Sequence, residues 1–151
     1  MIKTNKTTAG FTLLEFLAVM VLVAVLVTIA IPIYNTYVIK ARFQNVIQAA
    51  VAYEVPVAVC IQSQGLASVG TGTTAITNTA CPNEIPSGDV TTGLPTFVSK
   101  VNVSGAGVIV ATAAAGNGLT TSDTYTLTPT LTVTTGNTIV WAGACSPTKY
   151  C

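Results

Sequence analysis

The sequence contains no histidine. That removes the commonest general base, the commonest metal ligand and the side chain whose ordinary titration falls nearest neutral pH. Charge is almost as scarce. Only 7% of the 151 residues are charged, against about 25% in an ordinary soluble domain. Six basic residues against five acidic ones leave a net charge of +1, too little to draw the chain to nucleic acid or an acidic surface. The acids are Glu15, Glu54, Glu84, Asp89 and Asp123, spread along the chain. There is no nucleophile elbow and no glycine-rich phosphate loop, so no enzyme and no cofactor are expected. Half of the residues are apolar. With so few charges, that composition implies a membrane segment, a packed assembly, or both.

The apolar residues are concentrated near the start. Residues 1–10, MIKTNKTTAG, carry Lys3 and Lys6 and no acid. The 21 residues from Phe11 to Ile31 then contain one charge, Glu15. As a helix they extend about 30 Å, enough to cross a bilayer core. The lysines ahead of them predict a cytoplasmic amino terminus. A secretory signal would place its small-residue cleavage site after a shorter apolar region. Here Ala9-Gly10 precedes a longer one. A plain anchor leaves Glu15 unexplained, since an acid at mid-membrane costs about 2.5–3.5 kcal/mol and marks a functional candidate.

The stretch Gly10-Phe11-Thr12-Leu13-Leu14-Glu15 resembles the class III signal of type IV prepilins. The likeness lies in a basic leader, Gly before the cut, Phe after it and Glu as the fifth mature residue, with Pro32 at the family's usual place in the helix. The resemblance implies cleavage between Gly10 and Phe11 by a prepilin peptidase and N-methylation of Phe11. It also implies pairing of Glu15 with the Phe11 amine of a neighbouring subunit. Residues i and i+4 share a helix face, so Phe11 and Glu15 also face each other within one chain.

The helical pattern continues past the apolar run. Ile39, Phe43, Val46, Ala50, Tyr53, Val57 and Cys60 recur at spacings of three and four, one face of a helix. A single helix from about Phe11 to Gln62 is predicted, apolar all round at first and amphipathic later. Pro32 and Pro56 each remove an amide donor and are expected to kink or loosen it. Tyr34, Tyr37 and Tyr53 read as packing residues. Residues 63–95, rich in Gly, Thr, Ser, Asn and Pro, read as a long connection. Alternating patterns then predict strands at 97–103, 108–111, 125–134 and 138–141, with a turn at Thr135-Gly136-Asn137 and Pro129 at an edge or bulge. The fold class is α+β, one long helix laid on an antiparallel sheet of about four strands, which matches the pilin fold that the resemblance implies.

Four cysteines, Cys60, Cys81, Cys145 and Cys151, lack paired CxxC spacing, which favours two disulfides over a zinc site. Three pairings are open. The resemblance to type IVa pilins, with a bridge closing a surface loop after a Trp-bearing strand, favours Cys60–Cys81 and Cys145–Cys151. The resulting organisation is a leader at 1–10, a transmembrane and filament-core helix at 11–32 and a head at 33–151. The head divides into helix at 33–62, connection at 63–95, and sheet with disulfide loop at 96–151. The resemblance implies an inner-membrane precursor with its head in the periplasm. That precursor would be handled by the prepilin peptidase and the pilus assembly machinery and would polymerise with copies of itself into an extracellular filament. Adhesion, twitching motility or DNA uptake would follow, with nucleic acid a partner only in the last case. A minor pilin or a type II secretion pseudopilin shares the same amino terminus.

Overall fold

The computed structural model describes residues 10–63, 85, 88–132 and 138–151. The chain forms two compact units, divided between Tyr37 and Val38.

The first unit holds the start of helix α1, Leu13–Val51. Every residue from 10 to 37 is exposed. An apolar face needs a partner to be buried against, and a segment apolar on all sides has no preferred one. Among the described residues this is the one helix long and apolar enough to cross a membrane. α1 runs through Pro32. The Thr36 hydroxyl donates to the Pro32 carbonyl at 3.2 Å, and the Thr28 hydroxyl donates to the Val25 carbonyl at 2.7 Å, so both hydroxyls are satisfied on their own helix. Tyr34 and Tyr37 are 69% and 68% exposed. The sequence reads them as packing residues; among the described residues they are not covered within this chain.

The second unit contains the core. The predicted single helix is divided by a turn at Ala52 and Tyr53, after which α2 spans Glu54–Ser63. The break follows from Pro56. In an unbroken helix, Pro56 would leave the Ala52 carbonyl without its donor and would press on it, at a cost of about 3 kcal/mol. The turn places Pro56 in the first turn of α2, where amides have no intrahelical acceptor in any case. Tyr53 closes the turn with an amide bond to the Ala50 carbonyl at 3.1 Å. The apolar stripe survives the break: Phe43, Val46, Ala50, Val57 and Cys60 are all fully buried.

The stripe packs on a four-stranded antiparallel meander in the order β1-β2-β3-β4. The strands are β1 Val98–Val103, β2 Ile109–Ala113, β3 Thr124–Thr132 and β4 Thr138–Ser146. The inner face carries Val101, Ile109, Ala111 and Leu127, all buried. A register shift between Val98 and Lys100 makes a bulge, so the regular alternation of β1 holds only beyond it. β3 passes through Pro129 without a bulge. Pro129 pairs with Trp141 of β4, past the stretch of β3 that pairs with β2. There β3 is a local edge, so a missing amide donor breaks no β2–β3 bond. The predicted turn at 135–137 lies outside the described residues, as does most of the 63–95 connection.

One turn went unread in the sequence. Gly116 and Leu119 bridge across Asn117-Gly118, with φ of 54° and 88° at the two central residues. Asn-Gly suits a turn that needs positive φ twice. Its tip rests on α1. The Arg42 guanidinium donates to the Asn117 carbonyl and lies 5.8 Å from the Phe97 ring centroid. A Cβ on Gly118 would sit 2.7 Å from Ile39.

The other end of the sheet is fastened by the carboxy terminus. A short 3-10 helix, Thr148–Tyr150, turns Tyr150 into the core. Its ring stacks on Phe43 with centroids 4.8 Å apart. Such pairs contribute about 0.5–1.5 kcal/mol beyond their buried area. Replacing Phe43 with Ala should cost about 3–5 kcal/mol of stability. A double-mutant cycle with Tyr150→Ala, read by denaturant unfolding, should show a coupling of about 1 kcal/mol; strict additivity would disprove the contact.

β1 is guarded by charge. Asp89 accepts from the Lys100 ammonium at 2.8 Å and from the Asn102 amide at 2.9 Å. These bonds, Lys100 first, hold its carboxyl below the usual aspartate range. A lowered folded pKa means the contribution is complete above the ordinary aspartate pKa and disappears as pH falls through the folded value. Both partners are substantially exposed, so the effect is small. The thermal midpoint of the wild type should exceed that of Asp89→Asn at neutral pH, and the two should converge in acid.

Candidate functional site

The residues singled out by the sequence gather at the start of α1. Gly10, Phe11 and Thr12 are non-helical, and the helix begins at Leu13. The Gly10–Phe11 peptide bond therefore lies in open chain, two residues ahead of the helix. Phe11 is 71% exposed. A Cβ built on Gly10 would meet no atom within 4 Å, so packing inside the chain does not require glycine there.

Thr12 and Glu15 close the helix end on each other. The Glu15 Oε2 accepts from the Thr12 backbone amide at 3.1 Å and from the Thr12 hydroxyl at 2.9 Å. The Glu15 amide donates to the Thr12 hydroxyl oxygen at 3.3 Å. The Thr12 carbonyl accepts the first helical bond, from Phe16 at 3.2 Å. This is a capping box, in which an N-cap threonine and a glutamate three residues on satisfy each other's free amides. The carboxylate also sits at the positive end of the helix dipole. The chain thus brings Glu15 to Thr12 by i,i+3 bonds, whereas the sequence pairing set it against Phe11 at i,i+4. The signal for Thr12 was present as Thr-x-x-Glu ahead of an apolar run.

The remaining candidate residues lie elsewhere. Pro32 is inside α1 and Pro56 in the first turn of α2. Cys145 and Cys151 form a disulfide across a separation of 6, with Cα atoms 5.7 Å apart. Closing so short a loop contributes about 2 kcal/mol in the chain-entropy account. Cys145 is buried and Cys151 exposed, and the Tyr150 between them is a core residue, so the loop is anchored inward at its end. Cys60 is also disulfide-bonded; Cys81 lies outside the described residues. Among the described residues no group of acidic or cysteine side chains is placed to hold a metal.

A non-helical Gly-Phe junction, a capped acid and an exposed apolar helix make up a single unit of sequence. Residues 5–31 match the prokaryotic N-terminal methylation motif. The motif spans the Gly10–Phe11 junction, the Thr12–Glu15 cap and most of the apolar segment. Over 102 residues the chain is also 28% identical to prepilin peptidase-dependent protein D of Escherichia coli (strain K12), across 67% of this chain and 70% of that protein. No solved structure gives a significant match. Motif and exposed apolar helix together fit a precursor anchored in the inner membrane, and the four-stranded α+β head is consistent with the pilin fold.

Loss of the cap has a local signature. In detergent-solubilised protein, Thr12→Ala should raise hydrogen exchange at the first amides of α1 by about 5-fold, the size of a lost N-cap, while the amides of β2 and β3 stay unchanged. Equal protection of the helix start in both proteins would show that the box does not cap.

Proposed function

We propose that this chain is a prepilin whose mature form is the structural subunit of a type IV pilus. The observation that carries the reading is Glu15, the single charge in an otherwise uncharged and fully exposed helical segment, placed inside a prepilin-type methylation motif. Prepilin peptidase would hydrolyse the Gly10–Phe11 bond, which stands clear of the helix. The product amine on Phe11 keeps its positive charge after methylation. The leader removed with it contains Lys3 and Lys6, so the new amine becomes the cation nearest to Glu15 in sequence.

In this reading the capping box prepares the carboxylate for assembly. Thr12 engages Oε2, and Oε1 makes no hydrogen bond among the described residues. A neighbouring subunit's Phe11 amine would bond there. Taking an acid into a dry helix bundle is costly unless it is paired, so the contact favours the one axial register that neutralises both charges. The apolar segment then serves first as membrane anchor and later as filament core. Pro32 and Pro56 are the places where the subunit's helix would bend to fit that core. Adhesion, twitching or DNA uptake would belong to the finished fibre.

Glu15→Val should leave cleavage and methylation intact and abolish or sharply reduce filaments. Normal filament yield from the variant would remove this role for Glu15. Filaments sheared from cells should contain the chain starting at methylated Phe11, lighter by two hydrogen atoms per disulfide in intact-mass measurement. Processed chain that is absent from abundant surface filaments would instead favour a minor pilin or a type II secretion pseudopilin.

A further inference from the structure

The two edges of the sheet are built differently. The outer edge of β1 is closed by Val90, which exchanges backbone bonds with Val101 at 2.8 and 3.0 Å, and it carries the Lys100–Asp89 ion pair. Among the described residues the outer edge of β4 has neither. Among the described residues no strand pairs with it. All nine of its residues, Thr138–Ser146, are uncharged, and it has no proline. Val140 is 54% exposed, and Ala142, Gly143 and Ala144 are exposed as well. Edge strands in soluble proteins are usually kept short, charged, bulged or covered, because a row of free amides and carbonyls recruits another strand. Among the described residues this edge, nine residues and about 30 Å long, is left without a partner strand.

The backbone of such an edge selects an extended peptide as its partner, and the side chains of β4 select which one. We infer that the β4 edge pairs with the β4 edge of a second copy of this chain, antiparallel about a two-fold axis through Ala142. In that register Val140 of each copy stands opposite Ala144 of the other. Trp141 stands opposite Gly143, beside the Tyr125 ring that already lies over that glycine. At these two pairs a large side chain meets a small one, aromatic cover is given to a strand glycine, and no charges are opposed. A two-fold contact uses one patch on both partners and closes on itself, so it cannot propagate a head-to-tail fibre. The pair is therefore a state of unassembled subunits and must open before they enter a filament.

The self-pairing at Ala142 gives a direct test. The full chain in detergent micelles should show a monomer–dimer equilibrium by sedimentation, with disulfides intact. Ala142→Lys and Ala142→Glu each place like charges opposite one another on an exposed position, and each alone should weaken dimerisation at least tenfold. An equimolar mixture of the two should recover a heterodimer at wild-type strength or better. Circular dichroism and the thermal midpoint of each variant would confirm an intact head. A monomeric wild type overturns the inference. So does an Ala142→Lys protein that dimerises like the wild type, which would place the contact elsewhere, such as on the apolar helix. Failure of the mixed pair to recover overturns the two-fold register.

Discussion

An apolar helix without cover has to be placed somewhere other than water. Sixteen large apolar side chains between Phe11 and Ile33 are exposed. Each contributes about 1.5–3 kcal/mol on moving from water to apolar surroundings. Their sum exceeds the about 5–15 kcal/mol that stabilises a typical domain. The environment of this one segment therefore outweighs the internal stability of the head. A lipid bilayer and a bundle of like helices both satisfy it, and a change from one to the other exchanges apolar surroundings for apolar surroundings. What such an exchange does not satisfy is the carboxylate near the helix start. For that reason the polar chemistry of Thr12 and Glu15 is decisive even though it involves two residues.

The head solves a different problem with the same helix. From Val38 onward, α1 has a stripe rather than a uniformly apolar surface, and the stripe continues through the break into α2. Phe43 occupies its centre, fully buried against the sheet and stacked on Tyr150. The Asn117-Gly118 turn and the Arg42 side chain hold the hairpin tip against the helix, while the carboxy-terminal turn holds the far strand. The sheet is thus attached to the helix at both sides of the core.

Much of this was legible in the residues. The spacing from Ile39 to Cys60 named the buried helix face, because burial against a flat partner imposes a 3.6-residue period that side chains must obey. The strand patterns located the four strands, and adjacent strands with short turns favoured antiparallel pairing; their order in the sheet comes from the structure. The break at Ala52-Tyr53 was less legible: Pro56 announces a disturbance, yet its physical effect falls on the carbonyl four residues earlier. Tyr34 and Tyr37, read as packing residues, are exposed in this chain, because residue type alone does not say whether the cover comes from the same chain or from another molecule. Tyr150 was invisible to pattern analysis. A lone aromatic at the end of a chain has no period, and only the turn made by Pro147 to Cys151 directs it inward. The capping box was written plainly at Thr12 and Glu15 but was obscured by the stronger reading of the same glutamate.

The stacking of Tyr150 on Phe43 has a consequence for mechanics. The ring belongs to the next-to-last residue, and the bridge from Cys151 to Cys145 ties that end back to β4. A load applied along α1 can pass through Phe43 and Tyr150 straight into the far strand of the meander. Tension and sequence then follow different routes through the molecule.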